Sequence, residues 1–471
     1  MRTSETFLSS LADGREIYYR GKRVENIAQH DVLKIAAIHA AKLYGIRNRT
    51  LVDRDLGEIS RYFSIPRTHN DLLMRHKLIY DTTVACNGVF NISQAIGSDA
   101  IFALRLVSAQ SDTKYGTNYS ERVRKFHATV AKSDLTLAVA QTDVKGDRKK
   151  KPHEQHDPDV YVHLKSVEKD GIVVSGAKAH TTQAAVSNEI IAIPTRTMTE
   201  KDSDFAVAFA VPASTPGLKM IVRPIDELEG NSSALVSTQD YELETLTIFD
   251  NVFVPWDRVF QLREFDMAGL LAVTFATYHR FTAVSYRAGT SNLYLGSALA
   301  MAKENGISDS SHVKDRLADI VMYKELMRMS AVAAANSPLI KEDQAVPNPL
   351  FTNIGKLYSN KNFSNVLDAL VDISGGIIST MPSMEDQFNP LENSDLKKYL
   401  VGVDSGENRI KSIMLAKELA ASSQTGYMLT LMLHAEGSIE ASKIALLKDA
   451  DLSEAENLVT KILFRKKDQS Q

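Results

Sequence analysis

The chain has 471 residues, 44 % of them hydrophobic and 24 % charged, with a formal net charge of −3. That composition is the composition of a globular protein of two or three domains, and the near-zero charge excludes a nucleic-acid or acidic-surface partner recognised by bulk electrostatics. Its single cysteine, Cys86, excludes an intramolecular disulfide and any cluster held by several thiolates of this chain.

The opening segment MRTSETFLSSLADGREIYYRGKRVE lacks the apolar centre of a signal peptide. No apolar run reaches the roughly 18 residues needed to span a bilayer, so the expected location is cytoplasmic. Up to about Leu135 apolar residues recur at spacings of three and four, as in VLKIAAIHAAKLYGI (Val32 to Ile46) and AIFALRLVSA (Ala100 to Ala109). This spacing predicts a helical domain over residues 1–135. Cys86 is read as a buried helix residue.

From Thr136 to Leu270 the pattern changes to strand-like alternation and β-branched runs: GIVVSG, NEIIAIPT, FAVAFAVPA, GLKMIVRP and LETLTIFDNVFVPWDRVF. Short strands separated by Gly, Pro, Asp and Asn turns predict a small barrel or sandwich over residues 136–270. Within it, Gln141 to Thr182 suits a flat, anionic ligand such as a flavin nucleotide. Lys145 and Arg148 offer charge to a pyrophosphate, Gly146 allows close backbone approach, and Thr181 and Thr182 offer hydroxyls to a ring edge. A solvated basic loop is the competing reading of the same residues. The HEQH run (His153, Glu154, His156) has the wrong spacing for a two-histidine helical zinc site, and with the basic run Arg148 to Lys151 it reads as a solvated rim.

Beyond Leu271 long helical patterns return in RFTAVSYRAGTSNLYLGSALAMAKENG, SHVKDRLADIVMYKELMRMSAVAAA and NRIKSIMLAKELAASSQTGYMLTLMLH. Their wide apolar stripes predict a bundle over residues 271–471 that also packs against other subunits.

Helices, a β-barrel or sandwich, then helices is the order of the acyl-CoA dehydrogenase class of flavoproteins. The pieces KYGTNY, TDVKGDR, QHDPDVYV, DGIVVSGAKAHTT, FDNVFVPWDRVF, TYHR, SHVKDRL and SGGIISTMPSMEDQF occur in that order. On them the chain resembles the family that joins the flavin-dependent 4-hydroxyphenylacetate 3-monooxygenases to the 4-hydroxybutyryl-CoA dehydratases. The resemblance implies an α+β, acyl-CoA dehydrogenase-like fold, a homotetramer, and FAD held by Gln141, Thr142, Lys145, Gly146, Arg148 and Thr182. A late contact to phosphate is implied at Gly437 and Ser438, from this subunit or a neighbour; a Ser helix cap without ligand is the other reading.

The two branches of the family demand different residues. Dehydration needs an iron–sulfur cluster on three cysteines and a histidine. Here His279 stands at the histidine, whereas Asn91, Ala95 and Tyr286 stand at the cysteines, so the resemblance carries no iron–sulfur cluster into this chain and no metal site is expected. Ala283, Arg287 and Leu431 also differ from that branch, and Glu244 matches it. The monooxygenase branch uses reduced FAD from a separate reductase and hydroxylates a phenol. Its arginine and tyrosine near Ala95 to Ile101, and its histidine at Val139, are absent.

His279 is the expected acid or base, against a helix histidine satisfied by a carbonyl. Glu244 has several readings: partner of His279, base toward substrate, solvent-facing strand carboxylate, or partner of Arg258. Tyr286 shares a helix face with His279 and stands in for a lost thiolate in shaping the pocket, with Arg287 beside it. The expected activity is an FAD-dependent two-component monooxygenase on a small aromatic or related substrate. The alternatives are a cluster-free acyl-CoA isomerase, dehydratase-like enzyme or dehydrogenase, and a flavin-binding paralogue without catalysis.

Overall fold

The computed structural model describes residues 1–228, 234–383, 386–387 and 389–464. Met384, Glu385 and Phe388 of the SGGIISTMPSMEDQF segment, and residues 465–471, lie outside the described residues.

The N-terminal stretch begins with a short helix α1 (Ser4–Ser9), a hairpin β1 (Glu16–Tyr19) and β2 (Lys22–Val24), and helix α2 (Lys34–Lys42). A second hairpin, β3 (Thr50–Asp53) and β4 (Gly57–Ser60), precedes the helices α3 (His69–Ala85), α4 (Ala95–Tyr115) and α5 (Tyr119–Lys132). Helix α3 starts on a capping box of Thr68 and Asp71, and α4 stops where Gly116 takes a left-handed φ of 68°. The helical expectation for this stretch therefore holds from α3 onward, with four short strands ahead of it.

The middle of the chain forms β5 (Leu137–Ala140), β6 (His163–Val167), β7 (Gly171–Lys178), β8 (Glu189–Ala192), β9 (Val207–Pro212), β10 (Leu218–Val222), β11 (Thr245–Pro255) and β12 (Val259–Leu262). These make a six-stranded sheet in the order β2-β1-β10-β11-β7-β6 and a four-stranded sheet in the order β12-β9-β8-β5. No closed barrel forms among the described residues; the two sheets share one apolar core, as in a sandwich. The first forty residues belong to that core through Phe7, Leu11, Ile17, Tyr19 and Leu33, and β1 pairs in parallel with β10. Along β11 Thr245, Thr247 and Phe249 face inward, the register shifts between Phe249 and Val252, at Asn251 with φ 52°, and Val252 and Val254 resume the inward face.

A 40-residue helix α6 (Phe265–Glu304) follows, then α7 (Ser311–Asn336), the hairpin β13 (Leu339–Lys341) and β14 (Gln344–Val346), and α8 (Pro349–Ser374). Helix α6 is buried on most faces because α3, α4, α7 and α8 surround it. Five further helices, Pro390–Tyr399, Gly406–Ala420, Ser423–His434, Ile439–Asp449 and Ser453–Leu463, follow among the described residues. Strand β5 is where the halves meet: Ala138 and Ala140 face the β core, while Leu137 and Val139 face the helices. Gly97 lets α4 lie directly on β5, because a Cβ there would overlap Leu137. The seam between sandwich and bundle is thereby fixed.

Candidate active site

His279 sits on α6 facing this seam, mostly buried and stacked on Phe275 with ring centroids 5.3 Å apart. Its Nδ1 lies 3.2 Å from Asp99 Oδ2 on α4. Asp99 is fully buried, is paired with Arg75 at 2.6 Å, and accepts a hydrogen bond from Thr282 at 3.1 Å. A carboxylate held in this way fixes the ring orientation of the histidine and leaves Nε2 as the atom available for chemistry. His279 is thus satisfied by a carboxylate rather than by a carbonyl. Asp99 was not singled out in the sequence, where it lies inside the apolar run AIGSDAI.

Glu244 is buried immediately before β11. Its Oε1 accepts hydrogen bonds from Thr182 Oγ1 at 2.8 Å and from Tyr427 Oη at 2.9 Å, and its Oε2 is buried without a partner. Burial raises its carboxyl above the ordinary range, against the hydrogen bonds from Thr182 and Tyr427 that lower it. Two readings of Glu244 fall here: it does not face solvent, and Arg258 is paired with Glu189 at 2.6 Å instead. No hydrogen bond joins it to His279 among the described residues. Glu242, two residues earlier, is also buried and accepts from the Ile92 backbone N–H at 3.2 Å.

Within Gln141 to Thr182, where a flavin cradle is expected, two segments adjoin. Ala179 N–H donates to Thr142 O at 2.9 Å, and buried Lys178 binds Gln141 O and Asp143 at 2.8 Å each. Lys145 and Gly146 both take left-handed φ, 82° and 54°, in an exposed turn with Arg148. The space a Cβ at Gly146 would need is taken by Gln155 and Tyr161, and Tyr161 Oη donates to Lys145 O. The imidazole of His180, at the end of the second segment, is held below its ordinary range by desolvation and then by the charges of Lys145 and His434.

The late loop carrying Gly437 and Ser438 is anchored from below. Gly437, φ 101°, accepts from Lys356 Nζ, and Ser438 caps the helix Ile439–Asp449 by accepting from Ala441 N–H at 3.2 Å. Lys356 is buried enough that its ammonium is pushed down to about 7. Arg287 is fully buried and bound to Glu436 at 2.6 Å and Ser359 at 3.0 Å. Tyr286 stacks on Phe90 at 4.4 Å with its hydroxyl 3.3 Å from Glu436. Arg287 therefore anchors the loop, and Tyr286 is a wall.

The cysteine positions hold nothing that binds iron. Asn91 donates to His39 O at 2.7 Å, Ala95 and Tyr286 are core residues, and burial pushes the Cys86 thiol up to about 12. His39, Cys86 and Asp240 approach one another, but both ring nitrogens of His39 are taken, by Asp240 at 2.8 Å and Phe90 O at 3.1 Å. In the HEQH run, His153 is bound to Asp202 at 2.6 Å, and the basic residues after Asp147 are exposed. An iron–sulfur cluster does not fit this donor set.

Titratable groups with unused atoms, gathered where a β sandwich rests on a helical bundle, are the makings of an enzyme site. The sequence profile of the 4-hydroxyphenylacetate 3-hydroxylase N-terminal domain matches residues 3–261, and that of its C-terminal domain matches residues 268–463. The chain belongs to the 4-hydroxyphenylacetate 3-hydroxylase family. It is 29 % identical to a 4-hydroxybutyryl-CoA dehydratase/vinylacetyl-CoA-Δ-isomerase of Clostridium aminobutyricum, over 98 % of this chain and 99 % of that one. To the oxygenase component of 4-hydroxyphenylacetate 3-monooxygenase of Thermus thermophilus it is 28 % identical, over 89 % of each. A solved structure of such an oxygenase component, complexed with FAD and 4-hydroxyphenylacetate, shares the fold at a TM-score of 0.90, with 24 % identity over 99 % of each chain.

Proposed function

We propose that this chain is the oxygenase component of a two-component, FAD-dependent monooxygenase that hydroxylates a small aromatic or related substrate. The observation that carries the reading is the Thr182–Glu244 hydrogen bond: the last hydroxyl of the cradle holds a buried carboxyl that still has an unused oxygen. Cofactor side and proton-accepting atom meet there. Lys145 and Arg148, with no carboxylate partner among the described residues, take the pyrophosphate. Gln141, Thr142 and Thr182 line the ring, Gly146 shapes the turn, and Gly437 and Ser438 close on phosphate.

Bound reduced FAD supplies the electrons with which one oxygen atom is delivered to substrate. His279, aimed by Asp99, holds or releases a proton at Nε2, and Glu244 takes one at Oε2. Tyr286 and Phe90 form an aromatic wall that excludes water, and Arg287 sets the loop carrying Gly437. A separate flavin reductase is the partner that supplies reduced cofactor. Exposed apolar residues on the bundle, among them Met322, Met329, Ile354, Ile444 and Leu447, support assembly into a homotetramer. No helix among the described residues is long and apolar enough to cross a membrane, in keeping with a cytoplasmic enzyme.

A second reading, a cluster-free enzyme of acyl-CoA esters, draws on the similarity to the dehydratase and on the exposed basic rim Arg148 to Lys151. One experiment separates the two. The chain is given reduced FAD, isotopically labelled oxygen and a panel of phenols and acyl-CoA esters. Labelled hydroxylated product from a phenol is the expected result; stoichiometric peroxide with no labelled product, or turnover of a CoA ester without oxygen, overturns it.

A further inference from the structure

In the run Tyr241 to Glu244, which leads into β11, Tyr241 and Leu243 face the β core. Period-two alternation puts Glu242 and Glu244 on the other side, toward the helices. There Glu242 Oε1 takes the Ile92 N–H, Glu244 Oε1 takes Thr182 and Tyr427, and neither carboxyl joins an ion pair among the described residues. Glu244 Oε2 is left buried and unbonded in a residue only 7 % exposed. Burying such an atom is costly unless a ligand supplies its partner.

Burial raises both carboxyls and each charge disfavours the other, so the pair shares a proton; the two hydrogen bonds accepted by Glu244, against one by Glu242, place the charge on Glu244 and the proton on Glu242. A donor and an acceptor thus stand side by side, as a hydroxyl group requires. At Ala95 and Val139 the seam is apolar, and Asp99 is already occupied by Arg75 and His279.

We propose that Glu242 and Glu244 together seat the reacting hydroxyl of the substrate. The O–H proton passes to Glu244 Oε2, and the Glu242 O–H donates a hydrogen bond to the oxygen left behind. One bond is broken and one formed, with no net redox change. The inference rests on the monooxygenase reading for its substrate class, but its test reads binding and not turnover.

The FAD-saturated full chain is titrated with 4-cresol, with 4-methylanisole, whose hydroxyl is capped, and with benzylamine. The expected order places 4-cresol about ten-fold tighter than 4-methylanisole, one hydrogen bond to an ionised group. In Glu242→Ala and Glu244→Gln that preference falls to less than two-fold while FAD still binds. Glu242→Gln, which keeps shape and a donor, retains part of it and guards against a folding artefact in Glu242→Ala. Equal binding of cresol and anisole by the native chain, an unchanged preference in all variants, or tightest binding of benzylamine overturns the proposal. A retained cresol preference without hydroxylation would sink the monooxygenase reading alone.

Discussion

The cradle and the seam pocket lie side by side and are built in opposite ways. The cradle comes from two neighbouring segments, Gln141 to Arg148 and Lys178 to Thr182, joined by backbone hydrogen bonds and ending in exposed cations. The pocket draws Asp99, Glu242, Glu244, His279, Tyr286 and Tyr427 from four stretches of chain, and among the described residues Glu242 and Glu244 are buried there without an ion-pair partner. A segment proposed to cradle a flavin must meet a fixed anionic ligand, so local sequence suffices. A substrate pocket is set by how helices meet a sheet, so it changes with single residues that no local motif records. Thr182 is the contact that joins the two regions.

The comparison is broken most severely by removing an anchor common to both sides. Arg287→Ala leaves Glu436 buried and unpaired, and a loss of about 3–5 kcal/mol is expected in chemical denaturation. Next, Asp99→Asn removes the charge that aims His279; turnover is expected to fall ~100-fold with FAD affinity unchanged, as read by steady-state rates and FAD titration. A smaller effect concerns pH. The folded Glu242 carboxyl lies above its unfolded value, so the folded state binds the extra proton and native stability falls as pH rises from the ordinary glutamate range toward the raised folded value. Glu242→Gln is therefore expected to melt a few degrees above the native chain at pH ~8 and level with it at pH ~4, by calorimetry. Smallest is Arg148→Ala on the exposed rim, with a loss of FAD affinity of roughly two- to five-fold that shrinks further in high salt.

Much of the fold was legible because its signals are periodic. The β-branched runs became the two sheets, and the wide apolar stripe of α6 became a helix enclosed by four others. Strands β1 and β2 were hidden because Glu16 to Val24 is short and polar at the sheet edge, and only pairing with β10 makes them strands. The turn at Lys145 and Gly146 was legible locally, from a glycine set among polar and basic residues. Glu244 was singled out through resemblance, but its orientation was not legible, since its partners Thr182 and Tyr427 are remote in sequence. Glu242 had a signal: in YELET two acids alternate with Tyr241 and Leu243, placing both on one face. A solvent-facing edge strand has the same pattern, so burial by the helices decides the case. Asp99 gave no warning, because a lone acid in an apolar helix shows its worth only when Arg75 and His279 close on it.

The claim that cofactor side and substrate side are separate constructions is tested most directly by one paired titration. Affinities for FAD and for 4-cresol are measured on the native chain, Lys145→Ala and Glu242→Ala. The expected result is that Lys145→Ala weakens FAD several-fold and, at saturating FAD, leaves cresol unchanged, while Glu242→Ala weakens cresol about ten-fold and leaves FAD unchanged. If either substitution moves both affinities together, the two regions are one site and the account is wrong.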